Sequence, residues 1–558
     1  MDLLVSLGHN SSVIAIDNNE IICGYEEERF SRLKSVSTFP LESLNRIIKY
    51  YGSNNLKNIY VSHWFDDFNF YGNNHKKIQN KYFNKEIIKK YNLNLITLNE
   101  NFTHHDAHAH SALCFYNSYS KYNNSKHIIV IDGFGNKQEV ISIYYYDGNN
   151  INCIKKVFGY KNSLALLYQT ATSFCGMIEN QDEYKFLGYE SHIKEILTDS
   201  QIDNINEIIN KNCLKSFIDN FILNHQEEYN PDDIYINMEE LLSTKKYFND
   251  IFESILNLFS PNVKIPLYEN RIIIGYYIQT YIEKYLELII YHYDIKNVLL
   301  SGGIFYNVKL NNSILKNVDK ISIIPVTGDQ GAAIGLYYKN NDLKFGNLLI
   351  GKRKESNSLF NDYDINEISK FILNKGILNY VANNMEFGPR ALCNTSTLAL
   401  PIKENVDIIN KLNGRNNIMP MAPVMLEKNL SYFFNKEQYD KVVGSLNYMI
   451  ITLDYFDKFN NLAHLKYSYE GVMHKYPLND IYSGRPQIIT EKNSFIYKLL
   501  VELDKEGIKS LINTSFNIHG KPIVFTKKDA LDDYNFQINN SINLDSSKIK
   551  LLLDKEIE

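Results

Sequence analysis

The chain opens with short apolar runs broken by polar turns. Residues 3–8 (LLVSLG), 12–17 (SVIAID) and 20–28 (EIICGYEEE) are β-rich and separated by turns containing Asn and Gly, a spacing that predicts a three-stranded meander. A helical period follows over Leu41–Tyr51, and then a strand in NIYVSHW ending at Trp64. Polar sequence rich in Asn and Lys runs to about residue 100. A second meander starts with HIIVIDGFGN at 127–136, so the order strand, glycine turn, strand, strand occurs twice, each time followed by helical sequence. From about 160 to 295 the pattern is mainly helical. The most apolar stretch, Ile272–Tyr293, carries Glu283, Lys284 and Glu287 and reads as a buried helix, not a membrane span. NVLLSGGIFYN (297–307) and KISIIPVTGDQGAAIGLYY (320–338) each read strand, glycine loop, helix. In that geometry glycine lets backbone approach an anion at a helix N-terminus, which makes Gly302, Gly303 and Gly328 candidates for a phosphate cradle.

The repeated pattern predicts an α/β fold with a duplicated β-β-β-α-β-α core, as in the actin-like superfold (ASKHA) of sugar kinases and heat-shock ATPases. A polar stretch at 340–358 reads as a hinge and divides the chain into 1–345 and 346–558. At 558 residues, 44% hydrophobic and 22% charged, the composition is that of a multi-domain globular protein. The net charge of −5 argues against a broad duplex-binding footprint. Six cysteines without a CxxC pair suggest neither a disulfide scaffold nor a zinc site, and a reducing cytoplasm is expected. The N-terminus has no basic segment ahead of an apolar one, so no signal peptide is expected. Nothing in the pattern bears on oligomeric state.

The densest chemical cluster is His104-His105-Asp106-Ala107-His108-Ala109-His110. On a helix His104 and His108 share a face, and two imidazoles so placed can bind one transition metal. The plainer reading is a polar helix start with solvated histidines. Asp132 ends a strand and Asp329 sits in a glycine loop; each could be a turn aspartate. In a duplicated core the matching strand ends converge on one cleft, and two His with one or two Asp suit Fe, Mn or Zn better than Ca or Mg.

The sequence resembles the nodulation and antibiotic O-carbamoyltransferase family. Motifs that carry the resemblance include GHNSS (8–12), EEERFSRLK (26–34), HHDAHAHSA (104–112), DGFGN (132–136), EYKFLG (183–188), SGGIFYNVKLN (301–311), TGDQGAAIG (327–335), MEFGPRAL (385–392), RNNIMPMAPVM (415–425), GRPQIIT (484–490) and NTSFNIHGKPIV (513–524). The resemblance implies an actin-like first domain similar to the threonylcarbamoyl transferases of tRNA modification, and a YrdC-like second domain. It implies that the second domain forms carbamoyladenylate from carbamoyl phosphate and ATP with Mg2+. The first domain would then move the carbamoyl group to an alcohol beside Fe2+ or another divalent transition metal. By the same resemblance His104, His108, Asp132 and Asp329 are the metal ligands, and His9 is a candidate general base. Arg390, Arg485 and Ser515 hold the adenylate and carbamoyl phosphate, with Asn307, Arg415 and Asn513 as further binding residues.

Departures fall in the second domain. Cys393 and Thr395 stand where the family pattern has Gly and Arg, and Asn413 and Met419 where it has Lys and Arg. Lys411 is a possible substitute. Either the nucleotide sits differently, or adenylate forms slowly, or the domain is structural only. The acceptor reads as a hydroxyl of a small molecule, sugar or nucleotide; a hydroxymethylated pyrimidine in phage DNA is an alternative. A nucleotide-binding protein without catalysis is a second alternative, and simple ATPase or sugar-kinase chemistry a third.

Overall fold

The computed structural model describes the chain except residues 9, 63–88, 100, 121–124, 224–237, 260–265, 354–364, 416–420, 461–468, 479–481, 541–545 and 554–558. His9, Trp64 and Met419 lie outside the described residues.

Two five-stranded sheets carry the first part of the chain. The first is built from β1 (Asp2–Ser6), β2 (Ser12–Asp17), β3 (Glu20–Glu26), β4 (Asn58–Val61) and β5 (Asn94–Thr97), in the order β3-β2-β1-β4-β5. The second comprises β6 (Lys126–Ile131), β7 (Glu139–Tyr146), β8 (Ile151–Phe158), β9 (Asn297–Ser301) and β10 (Lys320–Ile323), in the order β8-β7-β6-β9-β10. In each sheet the first three strands pair antiparallel and the last two join parallel to the first. The same topology twice is the duplicated core that the repeated pattern predicts.

The helices used below are α1 (Glu28–Ser31), α2 (Leu41–Tyr51), α3 (His104–Tyr119), α4 (Leu164–Phe174), α5 (Glu183–Tyr189), α6 (Asp199–Ser216), α7 (Met238–Phe259), α8 (Leu267–His292), α9 (Val308–Asn317) and α10 (Asp329–Tyr338). Helix α3 starts in a capping box: Thr103 Oγ1 accepts from Asp106 N, and the Asp106 carboxylate accepts from Thr103 N. It is buried on nearly every side because it runs against α10. A Cβ at Gly335 of α10 would lie 1.7 Å from the Ala107 carbonyl, so only glycine permits this crossing. Helix α8 is the expected apolar helix; Ile272–Ile274, Ile278 and Ile282 are buried in the large core with Phe252 of α7 and Ile205 of α6. No described helix is long and apolar enough to cross a membrane.

The second part holds a six-stranded mixed sheet of β11 (Ile377–Val381), β12 (Thr395–Ala399), β13 (Ala422–Leu426), β14 (Gln487–Ile489), β15 (Leu511–Ser515) and β16 (Ile549–Leu553). Its order is β14-β13-β15-β12-β11-β16.

Of the expected polar hinge at 340–358, the described part, 340–353, is packed. Leu343, Phe345, Leu348 and Ile350 are buried, Gly24 N donates to Ile350 O, and Gly351–Lys352 pairs with Asn384–Met385. Apolar side chains spaced among Asn, Lys and Gly make this a packed seam; composition alone hid them. Residues from the second part also return to the first: Ile321 at the edge of β10 bonds the backbone of Lys441 and Val443.

The densest tie across the seam is the charged run at the end of β3. Glu26 Oε1 accepts from Gln330 Nε2 at 3.1 Å, and Glu26 Oε2 accepts from Gly388 N at 3.1 Å. Arg29 donates to Glu26 Oε2, Glu28 Oε1 and Gly388 O. Arg32 donates to the carbonyls of Pro522 and Ile523. Glu26 and Arg29 are 2% and 3% exposed, so this is a buried ion pair with further bonds on both sides of the seam.

Candidate active site

The strand ends that the duplication brings together carry the expected metal set. Helix α3 supplies His104 and His108, the end of β6 supplies Asp132, and the first turn of α10 supplies Asp329. His104 Nε2 lies 3.2 Å from Asp132 Oδ2, 3.4 Å from Asp329 Oδ1 and 3.1 Å from His108 Nε2. His108 Nε2 lies 3.8 and 3.9 Å from the same two carboxylate oxygens. All four donor atoms fall within 4.8 Å of one another. Four ligands about 2.1 Å from one ion at tetrahedral angles would stand about 3.4 Å apart, so the spacing fits a transition-metal site.

Charge and tautomer fit as well. Burial opposes a proton on His104, but hydrogen bonds to Asp132 and Asp329 outweigh it and raise its pKa to about 10. His108 goes the other way, to about 3, through burial and then the neighbouring His104. His108 is fully buried, and its Nδ1 lies 2.9 Å from Ser301 Oγ, which turns Nε2 toward the carboxylates. Asp132 Oδ1 accepts from Gly303 N at 2.9 Å, fixing its other oxygen on the cluster. His105 and His110 take no part: His105 faces Ser142 Oγ, and His110 faces Asp106 O.

Gly302, with φ of +108°, packs so tightly that a Cβ would sit 2.1 Å from the Ile131 carbonyl. Gly303, Gly328 and Asn307 line the same cavity. Asn307 spends its side chain on capping α9 and pairing with Gln279. His9 is not described, but its neighbours Gly8 and Asn10 line the cavity.

That cavity has a volume of about 790 Å3 and continues across the seam. On the far side it is lined by Arg390, Arg415, Arg485, Asn513 and Ser515. Burial depresses the pKa of all three arginines, and Arg485 is pushed down further by Arg390. Their bonds go to neutral oxygens: Arg390 to Tyr306 O, Arg415 to Thr514 Oγ1, Ser515 Oγ and Asn517 Oδ1. Arg390 Nε and Asn513 Oδ1 are buried without a partner among the described residues. Unneutralised guanidinium groups in a cavity are the chemistry of an anion site.

The departures have local explanations. Cys393 adopts φ of +70°, a conformation that favours glycine. Thr395 Oγ1 accepts from the buried Arg353, so a guanidinium from elsewhere in the chain stands beside it. Asn413 is fully buried and accepts from Gln537 Nε2, and Lys411 is exposed. Sequence reading did not single out Glu26, Arg29, Lys34, Lys185, Ser301 or Asn517 one by one. All but Ser301 and Asn517 belong to charged segments of the quoted motifs, and what the motif does not reveal is the contact some of them make across the chain, as Arg29 with Gly388 and Lys185 with His519.

A model described as the carbamoyltransferase N-terminus matches residues 49–337, and one described as the carbamoyltransferase C-terminus matches 369–549. An uncharacterized protein of Methanocaldococcus jannaschii, MJ1051, is 26% identical over 94% of this chain and 95% of its own. The nodulation protein NolO of Bradyrhizobium diazoefficiens is 26% identical over 45% of this chain and 50% of its own. The 3'-hydroxymethylcephem-O-carbamoyltransferase of Amycolatopsis lactamdurans is 25% identical over 42% of this chain and 44% of its own. With both halves of the family matched and the donor set and arginine set facing one cavity, this chain belongs to the carbamoyltransferase family and is a transferase.

Proposed function

We propose that the protein is an ATP-dependent O-carbamoyltransferase whose residues 346–558 form carbamoyladenylate and whose residues 1–345 transfer the carbamoyl group to a hydroxyl. The observation that carries this reading is the single cavity joining a transition-metal donor set to a cluster of unneutralised arginines. Water attacks the phosphorus of carbamoyl phosphate, giving phosphate and carbamate. A carbamate oxygen then attacks the α-phosphorus of Mg2+-bound ATP, and pyrophosphate leaves with the bond electrons. Arg390 and Arg485 hold the carbamoyl phosphate, and Arg415 with Ser515 holds the nucleotide.

Carbamoyladenylate hydrolyses readily, so passage within one cavity protects it. Gly302, Gly303 and Gly328 are proposed to let the nucleotide phosphate come close to the main chain in the first domain, since they carry no side chain to block it. An alcohol is a weak nucleophile, and His9 is the residue proposed to accept its proton as the oxygen attacks the carbamoyl carbon. AMP leaves with the electron pair of the broken C–O bond. His104, His108, Asp132 and Asp329 would hold Fe2+ or another divalent transition metal, which when bound supplies a Lewis acid for the carbamoyl or phosphate oxygen. A cavity of about 790 Å3 favours a small molecule, sugar or nucleotide as acceptor over a DNA duplex.

Two variants test the division of labour. His9→Ala should still release pyrophosphate from ATP and carbamoyl phosphate but fail to modify an alcohol. Arg485→Ala should fail at both, and recover transfer when carbamoyladenylate is supplied. Full pyrophosphate release by Arg485→Ala sinks the assignment.

A further inference from the structure

The start of α3 is surrounded by polar groups that the chemistry above does not use. Lys156, on β8, lies 2.9 Å from both Thr103 Oγ1 and Glu139 Oε1 and 3.1 Å from Asp106 Oδ1. Tyr144 Oη donates to Asp106 Oδ1 at 2.7 Å. Glu139 and Tyr144 are buried, and both belong to β7. These groups gather at the end of the helix that carries His104.

A helix leaves the N–H groups of its first turn without partners inside the helix. In α3 the second sheet and the segment leading into β7 supply them. His104 N donates to Asn136 Oδ1 at 2.9 Å, and His105 N donates to Glu139 Oε2 at 3.3 Å. Thr103 Oγ1, which caps the helix, also donates to Glu139 Oε2 at 3.0 Å. The helix end is thus taken by protein acceptors, and these bonds decide where α3 stands against the sheet.

Asn136 bears most directly on the metal donors. It closes the segment DGFGN, which opens with Asp132. One end of this segment places a carboxylate 3.2 Å from His104 Nε2, and the other end takes the main-chain N–H of the same histidine. The segment is itself fixed on β7, since Asp132 N donates to Val140 O and Gly135 N to Glu139 O. It packs closely on α3: a Cβ at Gly135 would lie 2.9 Å from His105 Cδ2 and 3.2 Å from His104 Cβ.

The next two residues, Lys137 and Gln138, have φ of +59° and +58°. Left-handed backbone is unfavourable for residues with a Cβ, and two in succession mark a segment held by its surroundings. The turn they make leads from Asn136 to Glu139, and both reach the same end of α3.

We propose that Asn136 is a positioning residue for the metal site. By holding the His104 main chain against the segment that bears Asp132, it sets the separation of two metal ligands, while Glu139 and Lys156 steady the same turn of helix. The proposal rests on the metal reading above. The contact of His104 Nε2 with Asp132 joins the donor atoms themselves, so it gives way when they turn to an ion. The Asn136 bond uses main chain and is compatible with both states. The donors therefore meet the ion already spaced, and less ordering is left for it to impose.

The test uses Co2+ as the probe in the full chain. Affinity is read by competition with a chromophoric chelator, and ligand geometry from the visible absorption bands of the bound ion. Asn136→Ala should weaken Co2+ binding by about tenfold and change those bands. Asn136→Asp keeps an acceptor in place and should bind at least as tightly as the wild type, with the wild-type bands. Thr198→Ala removes the cap of α6 and controls for lost stability. It should lower the unfolding midpoint and leave Co2+ binding unchanged. If Asn136→Ala binds Co2+ like the wild type while His104→Ala loses it, the proposal is overturned and the metal site stands. An Asp variant as weak as the Ala variant overturns it too, as does a Thr198→Ala variant that loses Co2+ as strongly. If the wild type and His104→Ala take up Co2+ equally, or neither does, the metal reading falls and the proposal with it.

Discussion

The two ends of the cavity are built on opposite electrostatic plans. Around α3, each of the clustered donor groups is held by a neighbour: two carboxylates flank His104, Gly303 holds Asp132, and Ser301 turns His108. Around Arg390, Arg415 and Arg485 the cations stand together with neutral oxygens for company, and burial depresses all three. One end is shaped for a cation and stays balanced by a proton on His104. The other is shaped for anions and stays under strain until they arrive. Removing a charge should therefore have opposite consequences for stability at the two ends, although it abolishes function at both.

The largest effect should come from the metal end. Asp132→Asn removes one of the four proposed metal ligands, which is also one of the two carboxylates holding His104. Carbamoyl transfer should fall by about 100-fold or more, and metal content measured by mass spectrometry should fall with it. Retained metal with lost transfer would show that the four groups do not act as one site. Next comes the seam. Glu26→Ala takes one of two carboxylate partners from the buried Arg29, leaving Glu28, and frees Gly388 N and Gln330; it should cost about 1–3 kcal/mol in denaturant unfolding. A loss below about 1 kcal/mol would mean that the seam is not held there.

Arg485→Met sharpens the contrast. Replacing a half-buried cation crowded by Arg390 with an apolar side chain should raise unliganded stability by about 1 kcal/mol while ending adenylate formation. A destabilised Met variant would break the comparison. Ser301→Ala should weaken metal binding by about tenfold in a competition titration, since the ring of His108 loses the group that orients it. Binding as tight as wild type would leave Ser301 with packing alone.

The smallest effect is a pH dependence. The folded Lys34 pKa of about 8 lies below its ordinary value, so between those two values the unfolded chain binds more protons than the folded one. The Lys34 contribution to stability should therefore rise as pH climbs through that window. Glu28, Arg29, Arg415, Lys185 and His519 face the group and titrate or carry charge beside it. The measurement is accordingly the difference between wild type and Lys34→Gln from pH 7 to 10.5. A difference that does not change with pH would mean that burial does not lower the Lys34 pKa.

Sequence reading reached furthest where the determinants are local. Meander spacing marks both halves of the duplicated core, and the i,i+4 spacing of His104 and His108 is fixed by helix geometry. Asp132 and Asp329 follow from the topology, because equivalent strand ends meet in one cleft. What eluded the sequence depends on tertiary contact. Lys34 and Lys185 are far apart in the chain and come together over the Tyr184 ring. Phe345 and Leu348 are sparse apolar residues in a polar stretch, and their burial depends on the surface that the first domain presents. Asn413 looks like a missing cation, but its side chain is committed to Gln537, and only the fold reveals that commitment.

The charged run at the end of β3 has a wider consequence. Glu26, Arg29 and Arg32 grip the second part largely through main-chain atoms: Gly388 N and O, Pro522 O and Ile523 O. Backbone groups are common to almost all residues, so this grip recognises the path of the turn and not the side chains on it. The second part can drift at neighbouring positions such as Cys393, Thr395 and Asn413 while the turn bearing Arg390 stays in register with Asp329. Divergence of sequence and constancy of docking are thus compatible in one molecule, and natural variation within this lineage should concentrate in side chains around an invariant main-chain path.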